Sequence, residues 1–420
     1  MAAPPRYKPP STFSNLIPKH LKVEQKKKVV LAYSGGLDTS YCAVYLTREL
    51  GLEVHTVIVN SGGFSEEELA AIEKRAYELG STTHQVIDVT ERFYQQCLRY
   101  LIFGNILKND TYPLSVSAER MFQSLAIAEY ARETGAEYIA HGSTGAGNDQ
   151  VRFDVAFAVI APNTEIITPI RDLRLSRQAE IEYLQKQGFE MSWEKAKYSI
   201  NKGIWGTSVG GVETLTSNHA LPESAYPTQL SRTEPATVEI TFEKGEPVAL
   251  NGERLNPVNL IQVLNDLGGQ YAIGRDTHVG DTILGIKGRV GFEAPAPLIL
   301  LKAHHLLEKH TSSRWQQLHK DYVANWYGTL LHEAQYLDPV MRDFEALLES
   351  SQERVSGTVF VTLKPYQFEL QGVDSKYDMM RSKVATYGEE NNAWDSRDAK
   401  GFIKIFSNQL RIHSSLNDEN

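Results

Sequence analysis

The sequence predicts an α/β fold with a doubly wound parallel sheet, followed by a mixed α+β domain and a C-terminal arm. From residue 28 to about residue 190, short apolar runs alternate with helical stretches, as in parallel sheets covered by helices on both faces. Near residue 190 this rhythm breaks, and an alternating pattern typical of antiparallel strands follows. We therefore divide the chain into four segments, which are 1–27, 28–190, 191–365 and 366–420.

The first domain begins with Val29-Val30-Leu31-Ala32, a short apolar run that stops at Ser34-Gly35-Gly36. Such a run is typical of a fully buried parallel strand. Ser65 and Glu68 have the spacing of a capping box, which predicts the start of a helix. The predicted strands are 29–32, 54–59, 85–89 and 138–140, and the predicted helices are about 38–50, 65–79, 91–107 and 117–134.

The loops of this domain are expected to meet at one edge of the sheet. In a doubly wound sheet the strands run parallel, and ligands bind in the crevice outside their carboxyl ends. We therefore expect the loops 34–36, 60–64 and 141–150 to lie along one rim.

The second domain mixes strand and helix patterns. Thr237–Phe242 alternates in hydrophobicity as an antiparallel strand does, and Gly245 and Gly252 supply turns. The elements predicted after it are a short helix at 257–267, a strand-like segment at 282–291, amphipathic helices within 314–349 that are interrupted near Pro339, and a strand and helix fragment at 401–412.

Composition excludes several classes of protein. The 420 residues include 43 Lys and Arg against 52 Asp and Glu, and the net charge of −9 argues against a nucleic-acid partner. No apolar run approaches the roughly 18 residues that cross a bilayer, so we expect no membrane partner. Cys42 and Cys97 cannot form a disulfide framework, which favours a cytoplasmic location. The Pro-rich segment 1–27 lacks the apolar core of a secretion signal, and we interpret it as a flexible appendage.

The strongest local signal is the segment that joins the first strand to the first helix. It reads Ala32-Tyr33-Ser34-Gly35-Gly36-Leu37-Asp38-Thr39-Ser40. Adjacent glycines let backbone N–H groups converge on an anion, and the following helix adds its positive end. A carboxylate at Asp38 would repel a phosphate unless a divalent cation such as Mg²⁺ lies between them. The segment lacks the lysine of a GxxxxGK[ST] loop, so a Walker-type ATPase is disfavoured.

This SGGxDxS segment resembles the pyrophosphate loop of the N-type ATP pyrophosphatase superfamily. In that superfamily the loop holds the β- and γ-phosphates of ATP while a nucleophile attacks the α-phosphorus. The resemblance therefore implies adenylation with release of pyrophosphate. The loop alone does not choose among the synthetases and tRNA-modifying enzymes that carry it.

A second motif narrows the choice. Residues 138–153 read YIAHGSTGAGNDQVRF, and together with AYSGGLDTS they closely resemble the argininosuccinate synthase family over most of residues 28–412. The resemblance implies a nucleotide-binding domain at 28–190, a synthetase domain at 191–365 and a C-terminal oligomerisation arm at 366–420 in a homotetramer. It implies the reaction ATP + L-citrulline + L-aspartate → argininosuccinate + AMP + pyrophosphate, a step of arginine biosynthesis.

The resemblance also implies site residues, matched position by position. ATP would contact Ala32, Tyr33, Ser34, Gly35, Gly36, Leu37, Asp38, Thr39, Ser40, Val59 and Gly142. Citrulline would contact Tyr112, Ser117, Asn148, Arg152, Ser199 and Ser208, and aspartate would contact Thr144, Asn148 and Asp149. We assign catalytic roles to Asp38, Asp149 and Arg152, since Arg152 can bind a carboxylate with two N–H groups and Asp149 can bind an ammonium group. No dedicated metal site is expected beyond Mg²⁺ arriving with ATP.

Two departures from the family pattern mark a divergent subfamily. Where the family usually offers a Glu and a Tyr to citrulline, twelve residues apart, this chain has Gly280 and Phe292. We consider the hypothesis that neighbouring Asp281 replaces the missing carboxylate. The second-strand motif also differs, since Val59-Asn60-Ser61-Gly62-Gly63 stands where the family has a sequence close to ANIGQ.

Two other functions share parts of this pattern. A tRNA-thiolating relative would carry catalytic cysteines or a basic extension, and the two unclustered cysteines and the −9 charge disfavour it. A non-catalytic nucleotide-binding protein would not need Asp38, Asn148, Asp149 and Arg152 together. Pyrophosphate release that does not depend on citrulline would contradict the assignment of citrulline as a substrate.

Overall fold

A computed structural model describes residues 26–189, 198–388 and 393–416. The predicted appendage at 1–27 lies almost entirely outside these residues. Three sheets organise the described chain, one with five parallel strands, one with five antiparallel strands and one with four antiparallel strands. The first sheet belongs to the segment 28–190, and the other two are formed by residues after 190, as the change of pattern near residue 190 predicts. Strand pairing continues past the boundary predicted at residue 365, because a hairpin joins Gly357–Lys364 to Gln367–Asp374.

The parallel sheet confirms the predicted doubly wound arrangement. Its strands are β1 (Lys28–Ala32), β2 (Glu53–Asn60), β3 (Thr83–Asp88), β4 (Tyr138–Ala140) and β5 (Glu165–Ile167). They are ordered β3-β2-β1-β4-β5, and all neighbours run parallel. The order reverses between β1 and β4, so the loops after these two strands open into one crevice.

Helices cover both faces of this sheet. They are α1 (Leu37–Arg48), α2 (Glu66–Glu78), α3 (Thr90–Phe93), α4 (Arg99–Phe103), α5 (Ser115–Glu133), α6 (Asp149–Ile160), α7 (Pro169–Asp172) and α8 (Arg177–Lys186), and a π-helical turn at Tyr94–Leu98 joins α3 to α4. The capping box predicted for α2 is confirmed, since Ser65 accepts from the Glu68 N–H and Glu68 accepts from the Ser65 N–H. The predicted helix at 91–107 ends at Phe103 and contains the π-helical turn.

The second domain contributes two antiparallel sheets. Its strands are β6 (Ser199–Asn201), β7 (Thr207–Gly210), β8 (Ala236–Glu243), β9 (Glu246–Leu250), β10 (Glu253–Arg254), β11 (Arg275–Asp281), β12 (Lys287–Glu293), β13 (Gly357–Lys364) and β14 (Gln367–Asp374). They are ordered β10-β9-β8-β13-β14 and β11-β12-β7-β6. Every second residue of β8 and β13 is buried, so Val238 pairs with Val361 and Ile240 with Val359 on the core face.

The helices of this domain are mostly amphipathic. They are α9 (Pro257–Gln270), α10 (Pro295–Thr311), α11 (Arg314–His332), α12 (Val340–Ser350), α13 (Ser396–Phe406) and α14 (Asn408–Ser415), with short 3₁₀ turns at Val212–Leu215, Glu223–Ala225 and Met379–Arg381. The interruption predicted near Pro339 is confirmed, because α11 ends at His332 and α12 starts after Pro339. A proline favours the first turn of a helix over its interior, since it has no backbone N–H.

Two local predictions are wrong. The segment 282–291 is not one strand, since residues 282–286 form the turn of a hairpin between β11 and β12. The tail at 401–412 contains two helices and no strand among its described residues. The helix predicted in this tail is therefore present and the strand is not, and a capping box at Asp395 and Asp398 starts the first helix.

Candidate active site

The turn after β1 is shaped to receive an anion. Gly35 has a φ of 73°, where a side chain would be strained. Arg75 donates to the Gly35 carbonyl oxygen at 2.6 Å, and the hydroxyl oxygens of Ser34 and Thr39 lie 3.3 Å apart. Gly36, the N-cap residue of α1, makes no side-chain capping bond. The first N–H groups of α1 are therefore available to a phosphate, which the positive end of the helix also attracts.

The loop after β4 approaches this turn closely. A Cβ atom at Gly142 would lie 3.2 Å from the carbonyl carbon of Asp38 and 3.3 Å from Cγ2 of Thr39. These separations are tighter than ordinary non-bonded contacts. A glycine at position 142 therefore lets the two loops meet at the point where the strand order reverses.

A buried network holds the same loop in place. The Ser143 N–H donates to His141 Nδ1 at 3.1 Å, so Nε2 of His141 carries the proton and donates to Asp154 at 2.9 Å. Arg171 donates to the other oxygen of Asp154 at 2.6 Å. Burial alone would raise the pKa of the Asp154 carboxyl, but its bonds to His141 and Arg171 lower it overall. Asp154 is therefore ionised, and its bond to His141 holds the loop after β4 in place.

Two arginines clamp Asp149 at the start of α6. Arg120 Nε donates to one carboxylate oxygen at 3.2 Å, and Arg152 Nη1 donates to the other at 3.1 Å. Burial opposes ionisation of Asp149, but the two guanidinium groups lower its pKa overall. Arg120 also donates to Asn201 Oδ1 of β6 at 2.8 Å, which ties the clamp to the second domain.

Arg152 is buried, and it also contacts the second domain. Its Nη2 donates to the carbonyl oxygen of His332 at 3.0 Å, and Nδ1 of His332 lies 3.0 Å from the hydroxyl of Ser117. Burial and the positive charge of Arg152 lower the pKa of His332 to about 3. His332 is therefore neutral at physiological pH, and it packs beside a guanidinium without repelling it.

The β11–β12 hairpin closes the cavity from the other side. Its turn is tied to α6, because the Ile283 N–H donates to Asn148 Oδ1 at 2.9 Å. On β11 the ring of His278 stacks on Tyr112 at a centroid distance of 5.1 Å, and Phe292 of β12 packs against the same Tyr112 ring at 5.5 Å. The cavity is thus bounded by both domains.

The cavity is partly open to solvent and has a volume of about 1020 Å³. Loops 34–36, 60–64 and 141–150 all contribute to its wall, which confirms the predicted common rim. The predicted residues on the wall are Ala32, Tyr33, Ser34, Gly36, Leu37, Asp38, Thr39, Val59 and Gly142 from the ATP set, and Tyr112, Ser117, Thr144, Asn148, Asp149, Arg152, Ser199 and Ser208 from the amino-acid sets. The structure therefore brings nearly all of the sequence-predicted residues around one space.

Two predicted residues do not line the cavity. Ser40 is fully buried behind the start of α1. Gly35 shapes the turn through its backbone conformation, and its carbonyl oxygen points to Arg75. Their contribution to the site is to form the turn that presents the neighbouring N–H groups.

The sequence analysis missed three residues of the site. Arg120 clamps Asp149, and its spacing of three residues from Ser117 on one helix could have revealed it. His332 lies 180 positions from Arg152 in the chain, and His278 is on a strand that the sequence did not predict. No local pattern marks either histidine.

The structure shows what surrounds positions 280 and 292, where the sequence departs from the family pattern. A Cβ atom at Gly280 would lie 2.5 Å from Nε2 of His278, so the imidazole ring occupies the space beside this glycine. Phe292 is fully buried against Tyr112. Asp281, which we considered as a replacement for the missing carboxylate, lies on the cavity wall and forms an exposed ion pair with Lys287 at 2.8 Å.

A metal would need ligands from outside the protein. No group of three or more His, Cys, Asp or Glu side chains with the arrangement of a metal site occurs in the part of the chain that the structure describes. Within the described residues, Asp38 and Glu68 are the carboxylates on the cavity wall near the anion-binding turn, and Glu68 is already bonded to the Ser65 N–H. This donor set fits a cation held mainly by phosphate oxygens. Among the described helices, none is long and apolar enough to cross a membrane.

Comparisons with known proteins identify the family of this chain. The family profile described as "Arginosuccinate synthase N-terminal HUP domain" matches residues 28–190, and the one described as "Arginosuccinate synthase C-terminal domain" matches residues 198–413. A protein of Methanocaldococcus jannaschii named argininosuccinate synthase is 38% identical over 91% of this chain and 97% of its own length. Proteins of the same name from Dictyoglomus turgidum and Xanthomonas campestris are 37% and 36% identical, over 94% and 93% of this chain and 100% and 99% of their own lengths. The chain therefore belongs to the argininosuccinate synthase family.

Proposed function

We propose that this chain is an ATP-dependent ligase that joins L-citrulline to L-aspartate and releases argininosuccinate, AMP and pyrophosphate. One observation carries the proposal. The anion-binding turn after β1 and the Arg120–Asp149–Arg152 clamp face each other across a single cavity. A site for phosphates next to a site for amino-acid carboxylates is what an amino-acid-adenylating ligase requires.

ATP would bind at the turn between β1 and α1. The N–H groups from Ser34 to Thr39 would receive the β- and γ-phosphates, and Val59 and Gly142 would flank the adenosine. Asp38 would share a Mg²⁺ ion with phosphate oxygens, and the bound ion would screen their charge. The position of Asp38 in the first turn of α1, on the cavity wall, supports this role.

The amino acids would bind on the opposite wall. Arg152 would bind the citrulline carboxylate with Ser117 and Tyr112, and Ser199 and Ser208 would complete that pocket. Thr144, Asn148 and Asp149 would receive aspartate. Asn148 is suited to contact both, because its carbonyl oxygen is held by Ile283 and its amide N–H groups can donate.

The chemistry follows in two steps with balanced bonds. The ureido oxygen of citrulline attacks the α-phosphorus of ATP, and the bond to the pyrophosphate oxygen breaks. The aspartate amine, after loss of a proton, attacks the ureido carbon, and AMP leaves with the oxygen that had been activated. Adenylation turns a poor leaving group into a good one, and the rigid loops hold the reacting atoms together.

Pyrophosphate release tests this function. The assay contains ATP, Mg²⁺, citrulline and aspartate, and each component is omitted in turn. We expect release to require citrulline, because adenylation needs the ureido oxygen. Release that continues without citrulline would contradict the substrate assignment.

The variant D38N tests the role of the carboxylate. Loss of one ligand to a phosphate-bound cation should lower kcat by roughly thirtyfold at saturating substrates, and excess Mg²⁺ should recover part of the loss. The matched variant D172N changes an exposed carboxylate on α7 and should stay within twofold. Turnover of D38N near the wild-type rate would remove this role.

We also propose that the chain forms a homotetramer in the cytoplasm through its C-terminal arm. Helices α13 and α14 expose a row of large apolar side chains, which are Phe402, Ile403, Ile405, Phe406, Leu410 and Ile412. Exposed apolar surfaces of this kind are typical of subunit contacts. Light scattering should report four copies, and the variant F406D should reduce that number.

A further inference from the structure

The wall formed by the β11–β12 hairpin differs chemically from the rest of the cavity. His278 and Gly280 lie on the same face of β11, because alternate residues of a strand share a face. The imidazole of His278 fills the space that a side chain at position 280 would enter. A Cβ atom at Gly280 would lie 2.5 Å from Nε2 of His278. The ring is held there by stacking on Tyr112. This wall therefore presents an imidazole instead of a carboxylate.

Two cations, Lys108 and Arg152, act on the histidines of this wall. Lys108 donates to Thr329 Oγ1 at 3.2 Å and lies close enough to both histidines to influence them. Burial and the charge of Lys108 lower the pKa of His278, and burial and Arg152 lower that of His332. Both imidazoles are thus neutral in the folded protein, next to two fixed cations.

The acidic side chains on the described part of the cavity wall either lie far from the hairpin or already have a partner. Among the described residues, those on the wall are Asp38, Glu68, Glu119, Asp149 and Asp281. Asp38 lies at the phosphate end of the cavity, and Glu68 there accepts the Ser65 N–H in the capping box of α2. Neither carboxylate faces the hairpin.

The remaining three carboxylates already have partners. Asp149 is clamped between Arg120 and Arg152. Glu119 is buried and accepts the hydroxyl of Ser61, and burial raises the pKa of its carboxyl. Asp281 points away from the face that carries Gly280 and pairs with Lys287. The hairpin end of the cavity is therefore without a free carboxylate within the described residues.

We propose that this subsite takes ureido carboxylates whose α-nitrogen is uncharged, either acylated or absent, at least as well as it takes citrulline. The proposal rests on the ligase function proposed above. An ammonium group entering this subsite would give up its hydration, meet no carboxylate and approach Lys108. An acylated nitrogen has no charge to desolvate, and its carbonyl oxygen can accept a hydrogen bond from a neutral imidazole N–H.

The reaction itself is unchanged for such a substrate. The ureido oxygen still displaces pyrophosphate from ATP, and the aspartate amine still displaces AMP from the ureido carbon. The product is an argininosuccinate whose α-nitrogen keeps its acyl group. A deacylating hydrolase would be the class of reaction that consumes this product.

Three ureido compounds test the proposal with the wild-type enzyme. Citrulline, Nα-acetylcitrulline and 5-ureidopentanoate are compared at saturating ATP, Mg²⁺ and aspartate, with pyrophosphate release as the readout. We expect kcat/KM for Nα-acetylcitrulline to equal or exceed that for citrulline. A preference for citrulline of more than threefold over both other compounds would overturn the proposal while leaving the ligase function intact. Release with none of the three would overturn both.

Two variants test the physical cause independently. The double variant H278A/G280E opens space and adds a carboxylate, and we expect it to shift the ratio of kcat/KM toward citrulline by roughly tenfold, as a hydrogen bond between charged groups does. The variant K108M removes the like charge and should shift the same ratio in the same direction by about threefold. KM for ATP should stay within twofold in both. An unchanged ratio in K108M, or in the double variant if it folds, would overturn the proposal.

Discussion

The two ends of the cavity are built in different ways. The phosphate end consists of one continuous segment, Ala32–Ser40, and a glycine from the adjacent loop. The amino-acid end is assembled from α5, α6, β7, β11 and the end of α11, which are up to 215 positions apart in the chain. Backbone N–H groups are the donors at the first end, and long side chains line the second. The first end therefore tolerates little change in geometry, and the second can change its specificity through single side chains.

Electrostatics separate the two ends as well. At the phosphate end, the partial positive charge comes from the start of α1 and is fixed by the backbone. At the amino-acid end, Arg120 and Arg152 surround Asp149, and two neutral histidines lie behind them. The electrostatic potential at the amino-acid end therefore depends on buried side chains, each of which needs a partner. We expect mutations there to have the larger effects.

The largest effect is expected for R152K. A lysine cannot contact Asp149 and the His332 carbonyl oxygen at once, because it lacks the planar guanidinium group of arginine. The substitution therefore leaves one of these buried groups without a partner. We expect kcat/KM for the ureido substrate to fall by roughly a hundredfold, with KM for ATP within threefold. The control R254K changes an exposed arginine that pairs with Glu243 and should stay near wild type. A fall of less than fivefold would mean that Arg152 is not the centre of this end.

The next effect concerns acid stability. The pKa of His332 is about 3 in the folded chain, below the value of about 6.5 for an exposed histidine. As the pH falls, the histidine of the unfolded chain binds a proton near pH 6.5, whereas the same histidine in the folded chain stays neutral until about pH 3. Protonation therefore favours the unfolded chain, and the free energy of unfolding falls between these two pH values. Wild type should lose about 2 kcal/mol more unfolding free energy than H332N between pH 7 and pH 5. Urea unfolding at the two pH values measures the difference, and equal losses would show that His332 is not held neutral.

A smaller effect is expected at the phosphate end from G142A. The added methyl group would lie 3.2 Å from the carbonyl carbon of Asp38, so the two loops must separate slightly. We expect KM for ATP to rise by about fivefold, with KM for the amino acids within twofold. Gly147 lies in the same loop and has no atom within 4 Å of its Cβ position, so G147A is the matched control. Equal effects of the two variants would argue against a close approach of the loops.

The smallest effect is expected for D281N. Its carboxylate is exposed and pairs with Lys287 across the hairpin, and exposed pairs contribute little. KM for citrulline should change by less than twofold in the pyrophosphate assay. A rise of tenfold would restore Asp281 as a substrate ligand and would weaken the contrast between the two ends.

The sequence predicted the turn between β1 and α1 because the determinants of its shape are local. A buried strand, two glycines and a helix start occupy consecutive positions, so their geometry follows from backbone preferences. The rim formed by three loops followed from the rule for doubly wound sheets. The hairpin at β11–β12 was missed because the segment 282–286 has strand-like residues but forms a turn. The strand predicted in the tail was wrong, since the first helix starts from a cap at Asp395, which lies before the segment that we interpreted.

The sequence by itself determined the α/β class, the anion-binding turn, and the motif residues that place the chain in its family. The tertiary structure alone decided which distant side chains complete the amino-acid end. Arg120, His278 and His332 join the site because β6, β11 and α11 pack against the first domain. Such contacts depend on the packing of elements far apart in the chain, and no local preference encodes them. In the sequence, Gly280 marks only a missing carboxylate. In the structure, the imidazole of His278 occupies the space that a side chain at position 280 would take.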